Sequence, residues 1–226
     1  MRDGTLFLKA LFRMTLFRMT STKGTPVKLG FIAATALAMF ALTACGSAGK
    51  ADVPKDQALK PAVGKSAWAT TEVSGVTISV PKSWQRTGPV AQGVGGELFM
   101  FQTEENSFGT RGGAQLLTID KREKKAVDLV TNVTSEAQAV AGAKKITTTH
   151  VVWPGAEDAW LVTYVAYPPS NGKVAAHPTE VLLLDLPKGA QAQATVTALE
   201  EDFGPQNMHA VLGTVTVTDK VGSKES

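Results

Sequence analysis

From residue 71 onward the chain is dominated by short runs in which apolar and polar residues alternate, closed by Gly or Pro. Residues 76–80 (VTISV) alternate and end at Pro81, which predicts a strand. Residues 97–103 (ELFMFQT) and 115–121 (QLLTIDK) predict two more, joined by the Gly-bearing connection 104–113, a long hairpin loop. The period then changes. Ala126, Leu129, Val130, Val133, Ala137 and Val140 recur at steps of three and four before Gly142, which predicts a helix with one apolar stripe. Strands are predicted again over 146–153 and 159–167, separated by the turn residues 154–158 (PGAED), and over 179–186 and 191–199, which flank the hairpin signal 187–190 (PKGA). A short helix at 201–212, interrupted early by Gly204-Pro205, and a strand at 214–218 complete the pattern; 219–226 reads as a disordered tail. Strands joined by hairpins pair antiparallel, and amphipathic helices must bury their stripes on the sheet. The expected fold is therefore α+β, an antiparallel β-sheet flanked by helices, in one globular domain over 66–218.

The first part of the chain has a different character. Fifteen uncharged residues, 29–43 (LGFIAATALAMFALT), follow Lys23 and Lys28 and precede small residues. A basic start, an apolar run of this length and small residues after it describe a secretory signal peptide. A transmembrane helix needs about 20 apolar residues, and this run ends at Gly46. The pentapeptide LFRMT occurs twice in tandem, at 11–15 and 16–20. Translation from Met19 would give a leader of ordinary length, 19–44, which makes Met19 the expected start.

Leu42, Thr43, Ala44 and Cys45 close the apolar run, and Cys45 is the single cysteine of the chain. This tetrad resembles the lipobox of bacterial lipoproteins, a branched apolar residue and two small residues before the cysteine. The resemblance implies cleavage after Ala44 and a diacylglycerol on the Cys45 thiol, with an N-acyl group on the new terminus. It also implies attachment to the extracytoplasmic face of the cell membrane. Residues 45–65 are rich in Gly, Ala, Pro and Lys and contain no aromatic residue, so they read as a lipidated cysteine and flexible tether of roughly 25 Å.

Composition sharpens this picture. With 43% apolar residues the chain is not disordered throughout, and one cysteine excludes a disulfide framework or a thiolate-rich metal site. Six of the 23 basic residues and one of the 20 acidic ones lie in 1–44, leaving 17 basic against 19 acidic residues. The net charge of +3 thus belongs to the leader, and no nucleic-acid partner is expected.

The opening segment 75–84 (GVTISVPKSW) is followed by the central helix and a turn-joined strand pair. The closing segment 198–217 holds a strand, an acidic turn with Phe203, a helix and a last strand. Together these resemble the Mog1/PsbP-like fold, and more narrowly the actinobacterial lipoproteins of the LpqN/LpqT type. That resemblance implies a sandwich architecture and a binding or assembly role, with no shared catalytic residues.

Candidate chemistry is sparse. His150, His177 and His209 show no close pair such as HExxH, so neither a metal nor another cofactor is expected. No GxSxG elbow is present, although a convergent triad could assemble in space. Residues 93–96 (GVGG) precede a strand, so they offer no helix N-terminus to a phosphate and read as a hairpin loop. Asn132-Val133-Thr134 matches an N-glycosylation acceptor but lies inside the helix and reads as helix surface. Trp68, Trp84, Trp153, Trp160, Tyr164 and Tyr167 could line an acyl cavity, with core packing the alternative. Lys121-Arg122-Glu123-Lys124-Lys125 could face anionic headgroups, with a solvated run the alternative. Compact side chains in the strands imply a filled core, so the expectation is a non-enzymatic envelope accessory that binds a protein partner. Carriage of an envelope lipid and an envelope hydrolase are the alternatives.

Overall fold

The computed structural model describes residues 59–92, 95–103, 112–167, 169–170 and 173–221. The expected leader, the expected lipobox and Cys45 lie outside the described residues. Twelve strands and three helices follow in the order β1 (Trp68–Val73), β2 (Val76–Pro81), β3 (Gln85–Ala91), β4 (Gly96–Gln102), β5 (Gly113–Ile119), α1 (Ala126–Ala141), β6 (Lys144–His150), β7 (Asp158–Ala166), β8 (Pro169–Ser170), β9 (Lys173–Val174), β10 (His177–Asp185), β11 (Gln191–Thr197), α2 (Glu200–Phe203), α3 (Met208–Gly213) and β12 (Thr216–Val217). Seven strands form one antiparallel sheet in the order β3-β4-β5-β11-β10-β7-β6, and a second sheet holds β1-β2-β12. The class is α+β, as the pattern of elements predicts.

The alternation of side chains along each strand divides the large sheet into two faces. On one face, Phe99, Phe101, Leu116, Leu182, Leu184, Ala194 and Val196 meet Met208, Val211 and Leu212 of α3, with Val76 and Ile78 of the small sheet. This main core contains fully buried Phe, Leu and Met side chains. On the other face, Ala126, Leu129 and Val133 of α1 pack on Val162, Val181 and Leu183. Of the predicted α1 stripe, Ala126, Leu129, Val133 and Ala137 are buried and Val130 is partly buried against the same cluster, Ala141 extends it, and the Val140 side chain lies outside the described residues. Gly142 ends the helix in the left-handed conformation, φ 56° and ψ 35°.

Several expectations are corrected. Strands β1 and β3 escape the hydropathy pattern: β1 reads WATTEV, and all seven residues of β3 are exposed. The predicted helix at 201–212 is two helices, because Gly204-Pro205 breaks the turn and Asn207 enters the left-handed region at φ 56°. The expected tether, 45–65, does not extend to residue 65. Leu59 is buried in the main core, and the Ala62 N–H donates to the Gly213 carbonyl at 2.8 Å. A carbonyl at the end of α3 lacks an intrahelical donor, and the incoming chain supplies one. Composition hides this anchor because Leu59 is a lone apolar residue among small and polar ones. The expected tail also shrinks, since Val221 is buried and the Lys220 ammonium lies 3.4 Å from Glu72.

Leu59→Ala is expected to lower stability by about 2–3 kcal/mol, read from the urea midpoint. A change within a few tenths would mean that residues 59–65 are not part of the cooperative fold.

Candidate functional site

Polar side chains concentrate at one end of the sheet face that carries α1. Asp158 opens β7 and Asp185 closes β10, and the two are direct cross-strand partners. Like charges opposed in this way repel, so each carboxylate needs its own donors. Asp185, 2% exposed, accepts from the Ala126 N–H at 3.0 Å and from the Gln191 amide at 2.9 Å, and the Arg122 guanidinium approaches it at 3.5 Å. It therefore satisfies an amide at the start of α1 from a distant strand, a role normally played by a local N-cap residue. Lys125 occupies that N-cap position, and its own backbone N–H donates to Asp128 at 3.3 Å. Arg122 also reaches Glu157 at 3.1 Å, and Gln191 donates to the Lys124 carbonyl at 3.0 Å.

Asp158 is held by a different set. His150 Nε2 donates to its Oδ1 at 2.7 Å, Trp160 Nε1 to its Oδ2 at 3.1 Å, and the Ala159 N–H to Oδ1 at 3.0 Å. Burial pushes the Asp158 carboxyl up, but these donors and the nearby His150 outweigh it and hold the group below the usual carboxylate range. The His150 ring lies 5.0 Å from that of Trp160. Both carboxylates are thus committed to internal donors, and the row ties α1 and β6 to the sheet.

The same face carries a second polar group at its other end. Thr179 Oγ1 lies 2.9 Å from Thr197 Oγ1 and donates to the His177 carbonyl at 3.2 Å. Burial, partly offset by a hydrogen bond with Thr179 and reinforced by the Glu136 charge, pushes the Tyr164 hydroxyl up to about 12. Burial lowers the pKa of His177, whose Nε2 is buried without a hydrogen-bond partner. Toward β4 and β5 the face becomes apolar: Leu98, Leu117 and Ile119 are buried and form a separate cluster with Met100. They belong neither to the main core nor to the cluster beneath α1.

The three histidines do not converge. His150 pairs with Asp158, His177 is on β10, and His209 Nδ1 donates to both Glu180 oxygens at 2.9 and 3.0 Å on the opposite face. Among the described residues no Ser, Thr or Cys side chain is hydrogen-bonded to a histidine ring, and no group of three or more His, Cys, Asp or Glu side chains could hold a metal ion. The six aromatic residues do not share a cavity, because the sheet separates them. Trp153 is buried in the main core with Nε1 donating to the Val215 carbonyl at 3.0 Å, and Trp68 and Trp84 pack on that core. Trp160 and Tyr164 lie on the α1 face, and Tyr167 meets Lys144 at 5.3 Å.

The basic cluster 121–125 is not a uniformly solvated run, since Arg122 turns inward to Asp185. Asn132 is exposed on α1. Gly95 and Gly96 form the β3–β4 turn, as the hairpin reading expects, with Gly95 N–H donating to the Gln92 carbonyl at 3.1 Å. The Asp185 node was hidden in the sequence because its partners lie 59 residues away in α1 and on a neighbouring strand. The one signal was an Asp ending the run VLLLD, where alternation places it on a buried face. Leu42, Thr43, Ala44 and Cys45 lie outside the described residues.

His209 and His177 make stability depend on pH in opposite senses. Glu180 raises the His209 pKa through its hydrogen bond and charge, against the pull of burial. That stabilisation is complete below the ordinary value of about 6.5 and is lost as pH rises through the raised one. His177 acts oppositely: its stabilisation is present above about 6.5 and is lost as pH falls through its lowered value. His209→Gln should flatten the fall in urea midpoint between neutral and mildly alkaline pH, and His177→Gln should flatten the fall on the acid side. A wild-type alkaline slope retained in His209→Gln would contradict the assignment.

No protein-family model matches the chain, and no curated protein sequence matches it. Among solved structures it is similar to LpqN, involved in cell envelope biogenesis of Mycobacterium tuberculosis, at 14% identity and TM-score 0.44, over 69% of this chain and 88% of that one. A Pseudomonas aeruginosa protein of unknown function matches at 12% identity and TM-score 0.40, over 62% of this chain and 88% of that one. A Bacteroides thetaiotaomicron protein matches at 11% identity and TM-score 0.37, over 67% of this chain and 46% of that one. Among the described residues no helix is long and apolar enough to cross a membrane.

Proposed function

We propose that the chain is a lipoprotein of the Mog1/PsbP-like type, anchored through Cys45 on the extracytoplasmic face of the cell membrane, and that it acts there as a non-enzymatic accessory that binds a protein partner. The observation that carries the binding role is the filled main core. Phe101, Leu116, Leu182, Leu184, Met208 and Leu212 are fully buried against one another, and densely packed interiors leave no room for a guest. Recognition then falls to the surface. Strand addition is disfavoured at both sheet edges, because β3 carries Pro89 and a register shift between Thr87 and Val90, whereas β6 carries Lys144 and Lys145 with a shift before Thr147. Such features blunt edges against pairing, so side-chain surfaces are the expected contact. The commitment of Asp158 and Asp185 to internal donors supports binding over an envelope hydrolase.

A second reading rests on one specific observation. Leu98, Met100, Leu117 and Ile119 form an apolar strip on the α1 face, separate from both helix-packed cores, and such a strip suits the acyl chain of an envelope lipid. Native mass spectrometry of residues 46–226 purified from the host envelope separates the two. A lipid-free chain that captures one membrane protein at fixed stoichiometry is the expected result. A stoichiometric lipid, lost in Leu117→Glu, would replace the partner reading by lipid carriage.

A further inference from the structure

The surface that follows the tether differs in charge from the rest of the molecule. Between Leu59 and Gln92 the chain carries Lys60, Lys65, Lys82 and Arg86 and a single acid, Glu72, which is bridged by Lys220. Over the rest of residues 45–226 acids outnumber bases. All four cations are exposed, and none forms an ion pair among the described residues.

The fold gathers this segment onto one surface. The Lys65 ammonium lies 5.6 Å from the centre of the Trp68 ring, and it donates to Asn207 Oδ1 at 2.9 Å. Trp68 pairs with Pro81 across β1 and β2. The Lys82 N–H donates to the Ala67 carbonyl at 3.3 Å, and the Trp84 N–H closes the same turn on the Pro81 carbonyl at 3.0 Å. Val63 precedes Lys65 on this stretch and is 96% exposed, an unusual position for a β-branched apolar side chain that nothing covers.

We propose that this face, carrying Val63, Lys65, Trp68 and Lys82, with Lys60 just before it in the chain and Arg86, whose guanidinium lies 4.6 Å from the Phe99 ring centre, just after it, rests on the anionic surface of the lipid bilayer. The orientation it implies depends on the reading of Cys45 as the anchor. Residues 46–58 are all that separate Cys45 from the buried Leu59, and the reading of their composition as a tether gives a reach of about 20 Å. The anchor therefore holds this face nearest the membrane, and the four cations meet anionic headgroups there. An interfacial Trp ring suits the same layer, and Val63 can enter the acyl boundary. The acidic remainder of the domain is repelled, which turns the α1 face and the β6 edge toward the envelope space.

The surface can be tested without the anchor. Residues 46–226, which contain every described element and no cysteine, are sedimented with vesicles of equimolar phosphatidylglycerol and phosphatidylcholine and with phosphatidylcholine alone. Binding is expected on the anionic vesicles, falling about fivefold for each of Lys60→Glu, Lys65→Glu, Lys82→Glu and Arg86→Glu. The triple variant Lys121→Glu, Lys124→Glu, Lys125→Glu should bind like wild type. A polarity-sensitive dye at Val63→Cys should shift to the blue on anionic vesicles, whereas one at Val127→Cys on α1 should not. Equal loss in both charge-reversal sets, or no binding to anionic vesicles, would overturn the proposal. Acylation of Cys45 is read separately by intact mass, so unmodified Cys45 with vesicle binding intact would defeat the anchor and leave the surface standing.

Discussion

Asp185→Ala is expected to cost about 3–5 kcal/mol of stability, the range for removing one partner from a buried, hydrogen-bonded charge pair. The carboxylate is 2% exposed, accepts hydrogen bonds from the Ala126 N–H and the Gln191 amide, and lies 3.5 Å from the Arg122 guanidinium. Its loss leaves the Ala126 N–H without an acceptor at the start of α1 and leaves Arg122 beside an empty space. Chemical denaturation measures the cost, and circular dichroism shows whether α1 frays. Asp185→Asn keeps an acceptor for the Ala126 N–H and should cost less. Adding Arg122→Met to Asp185→Ala should recover part of the loss, because the guanidinium, left with Glu157 alone, is then removed as well. A loss under about 1 kcal/mol, the scale of an exposed pair, would show that the node is solvated and does not hold the helix.

Gly96→Ala is the second large effect. Gly96 has φ +123°, a conformation that L side chains rarely adopt, and a Cβ there would sit 2.0 Å from the Thr118 carbonyl oxygen and 2.9 Å from the Ile119 Cα. The conformation alone costs about 1–3 kcal/mol, and backbone of the paired strand β5 must move as well. A loss of about 3 kcal/mol or more is expected, with the β3–β4 hairpin displaced. Gly142→Ala makes the comparison fair. That residue is also left-handed, but a Cβ would meet nothing within 4 Å, so about 1 kcal/mol is expected. Equal losses at the two positions would mean that conformation, and not the close approach of β5, sets the cost.

These two residues also show what the sequence could reveal. The four central strands, α1 and its stripe, and the turns at 154–158 and 187–190 follow from periods and turn residues, because one buried face imposes its own spacing. Strand β3 does not: none of its residues is buried, so alternation leaves no trace, and pairing with β4 through backbone groups alone makes it a strand. Leu59 fails for the opposite reason. One apolar residue creates no period, yet a groove beside α3 buries it.

The candidate site was less legible still. The tetrad Leu42-Thr43-Ala44-Cys45 that resembles a lipobox is contiguous, so it could be read directly. Asp185, Arg122, Gln191 and Ala126 are brought together only by strand register and the return of α1. Arg122 therefore looked like one more charge in a basic run, Asp158 looked like a turn acid, and Asp185 looked like the end of an apolar strand. The apolar strip of Leu98, Met100, Leu117 and Ile119 was visible as alternation in two strands, but nothing local distinguishes it from the residues of the opposite face that fill the core.

The account turns on where the protein is held, and intact-mass analysis of the chain recovered from the host membrane fraction tests that most directly. The expected mass is that of a chain beginning at Cys45 with a diacylglyceryl group and an added acyl chain, and Cys45→Ser should leave the membrane fraction. Two acyl anchors or more make attachment stable, whereas one is marginal. A membrane-retained chain with unmodified Cys45, or retention unchanged in Cys45→Ser, would contradict it.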